Sequence, residues 1–452
     1  MGLTFLIILT IAEITLITLT FTKYSEKAAW LKNRTLVTAV ETIILLAVVL
    51  LPVTHMKWRF ALALVILIVR LLFELIRFAV RRKKVSGLKH KAAAVASGVL
   101  SVVFVALSLA PAFIFTNYNG LENTGEHNVV TASAILVDKN RTDTFENDGS
   151  FREVPIHFFY PQDDGSYPLV IFSHGAFGYY QSNFSTYTEL ASHGYVVAAL
   201  DHPHHAFFTS DTSGNTVIVD NGFINDVMKI SGDDVSEEEI FSITQDWMKL
   251  RTDDENFVLD TVKQAAANRS LGDEWNTRQE SDILTVLSRT DVEKIGLMGH
   301  SMGGATSVAI GRERDDIDAV VVLDGTMLSE RISVKDGKYQ YIDESYPVPV
   351  IDFTKEIDYN NRELYSEENG YAYVNSYVVE NAKDGKTVIC SGVKHMDFTD
   401  LPLISPFLAS MLDGGESEVN NEEFITMING MVLNWFDYYL KGEGALNIPE
   451  RC

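Results

Sequence analysis

Four long apolar stretches occupy the first quarter of the chain, at residues 3–22, 36–53, 60–80 and 92–115. Each is near the length a helix needs to cross about 30 Å of hydrocarbon. From residue 129 the pattern changes to short apolar runs alternating with longer amphipathic ones, which predicts βα units around a mostly parallel sheet. Strands are expected at 130–137, 156–160, 169–173, 195–200, 294–298, 319–323, 348–353 and 387–390. Helices are expected at 184–193, 254–268, 280–288, 303–312 and 423–441. Residues 206–250 form a long polar and acidic insertion, readable as a lid over a site or as a surface loop. The pattern thus predicts a four-span α-helical bundle at 1–116, a linker at 117–128 and an α/β domain with about eight strands at 129–452.

Charge divides the chain at the same place. Residues 1–116 hold 14 Lys and Arg against 4 Asp and Glu, whereas the remainder holds 23 against 57. So acidic a remainder excludes a nucleic-acid partner, because phosphate binding needs a basic patch. The first apolar stretch lacks a basic start and is followed by three more, so it reads as a span rather than a signal peptide. Basic residues follow the first span (Lys23, Lys27, Lys32, Arg34) and the third (Arg81, Arg82, Lys83, Lys84, Lys89, Lys91). The positive-inside rule puts both loops on the cytoplasmic side, which predicts a multi-pass cell-membrane protein with its large domain extracytoplasmic. Glu13, Glu41, Arg70 and Glu74 fall inside the spans. An Arg70–Glu74 pair at i,i+4 is the expected arrangement there. Of the two cysteines, Cys390 in an apolar strand is expected to be a buried thiol rather than bridged to Cys452.

The strongest chemical signal is Gly299-His300-Ser301-Met302-Gly303, preceded by an apolar strand and followed by the small-residue helix start Gly304-Ala305. Strand, tight turn and helix are what a nucleophile elbow requires, and they identify an α/β-hydrolase fold with Ser301 as nucleophile. Met302 then supplies one oxyanion-hole amide. The loop Ser173-His174-Gly175-Ala176-Phe177-Gly178 after an earlier strand offers the second, with Ala176 as the candidate donor. Phe177, His174 and His300 are expected to contact substrate. His395 is the candidate base, since no other histidine follows Ser301 and the triad order in this fold is Ser, acid, His. Two residues at strand ends compete as the acid, Asp324 and Asp358. His202, His204 and His205 have a spacing that suits no common ligand set, so they are expected on a pocket rim or a solvent-facing loop. Neither a metal nor a cofactor is expected.

Residues 155–400 resemble the platelet-activating-factor acetylhydrolases. The resemblance runs through Pro168-Leu169-Val170-Ile171-Phe172-Ser173-His174-Gly175, then Leu190-Ala191-Ser192-His193-Gly194-Tyr195-Val196-Val197-Ala198-Ala199 and Leu250-Arg251-Thr252. It continues through residues 299–305, Leu323-Asp324 and His395-Met396-Asp397-Phe398. In that family the acid directly follows the strand after the nucleophile, which implies Asp324 rather than Asp358. The resemblance also implies calcium-independent hydrolysis of short or oxidised acyl chains from phospholipids. Residues 1–116 have no counterpart in that family, and the 206–250 insertion departs from its membrane-contacting segments. The expected function is a membrane-anchored serine esterase acting on a small-molecule or lipid ester; no feature specifies a protein partner. A serine peptidase or amidase is the enzymatic alternative, because an acyl-enzyme serves amides as well as esters. A non-catalytic membrane sensor or binding protein is the alternative of a different class.

Overall fold

The computed structural model describes residues 2–21, 26–81, 87–232 and 235–452. Lys23, Arg82, Lys83 and Lys84 of the two basic loops lie outside them. The chain divides into two compact units, one of residues 1–120 with 401–414, the other of residues 121–400 with 415–452.

The first unit is helical: Gly2–Leu19, Lys27–Leu50, Ala61–Arg81, Lys91–Ser108 and the short Ala110–Ile114. Three of these, Gly2–Leu19, Lys27–Leu50 and Lys91–Ser108, are long and apolar enough to cross a membrane. Ala61–Arg81 falls short of that test because Arg70, Glu74 and Arg77 interrupt it. The bundle exposes large apolar residues such as Ile11 and Ile14, and its interior holds a charged cluster around Glu13, 1% exposed, beside an apolar core of Phe5, Leu9, Leu45, Phe60 and Leu67. Inside, Glu13 accepts from Arg34, from Arg70 (2.7 Å) and from the Ser101 hydroxyl (2.5 Å). Arg70 also faces Glu41 at 3.8 Å, and Glu74 pairs with Arg77. The expected Arg70–Glu74 pair is therefore replaced by a cluster that draws on four helices, because Arg70 finds carboxylates on neighbouring helices. The segment 401–414 contributes two short helices, Leu401–Ile404 and Pro406–Leu412. It is tied to the end of the bundle by Thr116 N to Ile404 O (2.8 Å) and Ser405 Oγ to Ile114 O (2.7 Å).

The second unit is built on strands β1 (Val129–Thr142), β2 (Phe151–Pro161), β3 (Tyr167–Ser173), β4 (Val196–Leu200), β5 (Phe208–Ser210), β6 (Thr216–Ile218), β7 (Trp275–Asn276), β8 (Thr290–His300), β9 (Ala319–Leu323), β10 (Arg331–Lys335), β11 (Lys338–Tyr341), β12 (Val350–Lys355) and β13 (Gly385–Cys390). Nine form one sheet in the order β13-β12-β9-β8-β3-β4-β2-β1-β7. The run from β4 to β13 is parallel, and β1, β2 and β7 are antiparallel additions at one edge. All eight expected strands are present, and the ninth is the two-residue β7. The central strands are continuous apolar runs because helices cover both their faces; every residue of β4 and β9 is buried. Both cysteines are free thiols, Cys390 buried at the end of β13.

The described residues of the 206–250 insertion form regular elements rather than a plain loop. It holds the β5–β6 hairpin, helix Asn221–Ile230 and the first half of helix Glu237–Asn268. That second helix begins 17 residues before the expected residue 254. Ser236 caps it by accepting from Glu239 N, and Glu237, Glu238 and Glu239 complement the positive end of the helix dipole. Phe223, Trp247 and Met248 of the insertion form an apolar cluster with Met302 and Ala305, against which Ala176 packs.

Candidate active site

At the C-terminal end of β8 the chain turns at Ser301 into helix Met302–Glu313. Ser301 has φ 55° and ψ −121°, which L side chains rarely adopt; such strain costs about 1–3 kcal/mol and is held by its surroundings. The surroundings here are backbone. A Cβ on Gly299 would lie 2.2 Å from the Gly303 carbonyl carbon, and one on Gly303 would lie 1.8 Å from the Ser173 oxygen. On Gly175 a Cβ would stand 3.1 Å from Ser301 Cβ, which sets the loop after β3 against the serine. Ser301 N donates to Leu323 O (2.8 Å), fixing the turn to the end of β9.

The residue after β9 is Asp324, also at positive φ (50°). Its Oδ2 lies 2.6 Å from His395 Nδ1, which opens the turn His395–Phe398 after β13. With Nδ1 donating to a carboxylate, Nε2 is left as the ring's proton acceptor. Burial works to raise the Asp324 pKa, but the hydrogen bond and charge of His395 and the charge of Lys355 outweigh it and hold the carboxyl at about 2. Lys355 Nζ lies 3.2 Å from Asp324 and 2.9 Å from Asp358. Of the two candidate acids, Asp324 is the one brought to His395, and Asp358 pairs with Lys355.

Two residues expected to touch substrate lie beneath the site instead. His300 is 3% exposed; its Nε2 donates to His395 O (3.1 Å), and burial first, then His395, lowers its pKa to about 3. Its ring lies 4.5 Å from that of His395. His174 is fully buried and accepts from His202 N through Nε2 (3.1 Å). Phe177 is partly exposed and its ring meets Phe223 of the insertion at 5.3 Å. Its amide donates to His205 O (3.0 Å), which leaves the Ala176 amide as the donor the loop has to offer. Met302 N heads the helix that follows Ser301, where first-turn amides have no partner within the helix.

Of the histidines after β4, His204 is half-buried and lines a surface cavity with Asp143, Phe145 and Asp220, but the other two are not on a rim. His202 and His205 are buried, and among the described residues no group of three His, Cys, Asp or Glu is arranged to hold a metal. Instead His202 bridges Ser173 Oγ (2.8 Å) and Asp254 (3.1 Å), which in turn binds Arg152 and Arg141. Arg251, wholly buried, donates to His174 O (2.5 Å) and Gly175 O (3.3 Å). These bonds come from elements far apart in the chain, and the apolar periodicity of the sequence carries no trace of them.

The family model for platelet-activating factor acetylhydrolase, isoform II, matches residues 153–443. Among curated proteins, the platelet-activating factor acetylhydrolase of Cavia porcellus is 22% identical over 290 residues, 64% of this chain and 61% of its own. That of Canis lupus familiaris is 24% identical over 281 residues, 61% of this chain and 57% of its own. The chain thus spans less than two thirds of the length of these relatives. A ferulic acid esterase from Streptomyces cinnamoneus shares the fold, with a TM-score of 0.51 at 20% identity, covering 73% of this chain and 95% of that one. With the match of the family model extending from β2 to the last helix and spanning the elbow, Asp324 and His395, the chain belongs to the platelet-activating factor acetylhydrolase isoform II family.

Proposed function

We propose that the protein is a membrane-anchored serine esterase in which Ser301 attacks the acyl carbon of an ester. His395 takes the serine proton and returns it to the leaving alcohol, and Asp324 orients His395 and stabilises its charged form. The Met302 and Ala176 amides receive the oxyanion. The observation that carries the reading is the 2.6 Å contact of His395 Nδ1 with Asp324, beside a serine held on a strained, glycine-flanked turn. The substrate class is a lipid-borne ester with a short acyl chain, by analogy with the platelet-activating factor acetylhydrolases among the curated relatives; the family resemblance of the sequence extends it to oxidised chains. An apolar exterior with charged side chains paired inside the helical unit supports anchoring in a bilayer. The basic loops favour an extracytoplasmic catalytic unit.

The test uses the full chain in detergent micelles, with p-nitrophenyl esters of increasing acyl length, calcium added or chelated, and Ser301→Ala alongside. Calcium-independent turnover that disappears in Ser301→Ala is expected, with short acyl chains preferred. Turnover that survives in Ser301→Ala, or folded wild type that cleaves amides rather than esters, contradicts the proposal.

A further inference from the structure

Beneath the loop after β3, one carbonyl collects an unusual number of donors. Gly175 O accepts from His174 Nδ1 (2.7 Å), Gly178 N (3.1 Å) and Arg251 Nη2 (3.3 Å). The histidine's role follows from its other nitrogen: Nε2 accepts from His202 N, so the ring proton sits on Nδ1 and points at Gly175 O. Burial first, and then the charge of Arg251, keeps this ring neutral by lowering its pKa well below the ordinary value. Arg251 is itself fully buried, and its hydrogen bonds run to His174 O, Gly175 O and His205 Nδ1 (3.4 Å). The charges of Asp254 and Glu255 offset part of the desolvation of this guanidinium, yet its hydrogen bonds go to the two loop carbonyls and an imidazole rather than to those carboxylates.

The carbonyl of Gly175 and the N–H of Ala176 belong to the same peptide group. Donors on a peptide oxygen draw charge through the amide and make its N–H a stronger donor. We infer that Arg251 and His174 are positioning residues that polarise the Gly175–Ala176 peptide, so that the Ala176 amide binds the oxyanion more strongly than an ordinary amide would. The inference rests on the serine-esterase reading above. On it, Arg251 acts at a distance, through the peptide, on the charge that develops in the transition state. The neutral ester, with less negative charge on its oxygen, gains less from the same polarised amide, so the effect falls on kcat rather than KM.

The test follows the carbonyl stretch of the acyl-enzyme by difference infrared spectroscopy. The full chain in detergent is acylated with a 13C-carbonyl-labelled cinnamoyl ester at a pH where deacylation is slow, and wild type is compared with Arg251→Lys, Arg251→Gln and His174→Asn. In Arg251→Gln the acyl carbonyl band is expected at higher frequency than in wild type, with kcat down about 10-fold or more and KM changed less than about threefold, below the 10²–10³ of deleting an oxyanion donor. Arg251→Lys should recover part of both. Where the Arg251 variants do not fold, His174→Asn reports on the same carbonyl from the other side, with the same upward shift expected. An unmoved band, with losses confined to thermal stability or KM, overturns the inference and leaves Arg251 a purely structural residue. Absence of any acyl-enzyme in wild type, or acylation of Ser301→Ala, overturns the underlying esterase reading instead, so the two failures are distinct.

Discussion

Replacing Gly303 by alanine sets a sharp test of how the elbow is built. The added Cβ would sit 1.8 Å from Ser173 O, 2.4 Å from Ser173 C and 2.8 Å from His174 O. All three are backbone atoms, so no side chain can rotate away. Since real Cβ atoms essentially never approach such atoms within 3.0 Å, the elbow and the loop after β3 must separate by about 1 Å or more, as close-packed interiors leave no slack. That separation moves Ser301 and Met302 N away from Ala176 N, and a misplacement of about 1 Å costs on the order of 10²-fold in rate. Overpacking adds a stability loss of about 1–3 kcal/mol. The assay is kcat/KM for p-nitrophenyl acetate with thermal unfolding in parallel. Gly430→Ala serves as control: it lies in helix Asn421–Phe436 with nothing within 4 Å of its added Cβ. It should leave kcat/KM unchanged and stabilise by about 0.5–1 kcal/mol. Gly303→Ala with wild-type kcat/KM and unchanged unfolding would refute the packing argument and, with it, the proposed pairing of the two oxyanion donors.

Asp324→Asn should lower kcat by about 10⁴-fold, by leaving His395 without its orienting charge. Asp358→Asn, whose carboxylate faces Lys355, should change kcat less than about twofold; an equal loss in both would undo the choice of acid. Because the folded pKa of Asp324 lies near 2, below the usual carboxylate value, its contribution of about 2 kcal/mol is complete above pH 4 and fades as pH falls through 2. Urea midpoints of wild type and Asp324→Asn should therefore converge between pH 4 and pH 2, and a constant gap would contradict the shift. Ser236→Ala should cost about 1 kcal/mol and speed hydrogen exchange in the first turns of helix Glu237–Asn268, while exchange at residues 254–268 stays slow.

What the sequence discloses and what it hides follow from the range of the forces involved. The elbow is legible because its glycines, its strand and its helix start are neighbours in the chain; six of the eight expected strands are legible because a buried parallel strand holds a continuous apolar run, and the antiparallel β1 because its burial alternates. The first half of helix Glu237–Asn268 escapes that reading because its polar residues mask the period. Its signal, Ser236 followed by three glutamates, is a capping pattern rather than a hydrophobic one. His174 and His300 look like pocket residues by adjacency to the elbow and its loop, yet both side chains point inward, which adjacency cannot tell. Arg70 joins Glu13 and Glu41 rather than Glu74 because partners on other helices outcompete the local one. The hydrogen-bond partners of Arg251 lie 46 to 77 residues upstream in the chain, beyond the reach of any local pattern.

The membership of residues 401–414 in the helical unit has a consequence for the order of events during synthesis. A ribosome delivers the apolar helices first, but the Ser405–Ile114 and Ile404–Thr116 bonds that finish their unit wait for a segment made some 290 residues later. Almost the whole sheet, with the elbow and His395, is translated in the interval. The helical unit is therefore the first begun and among the last completed, and a protease cut in the 117–128 linker severs only one of the three covalent crossings between the units. Nicked protein should stay a single species, and the units should part only once further cuts fall near both residue 400 and residue 415.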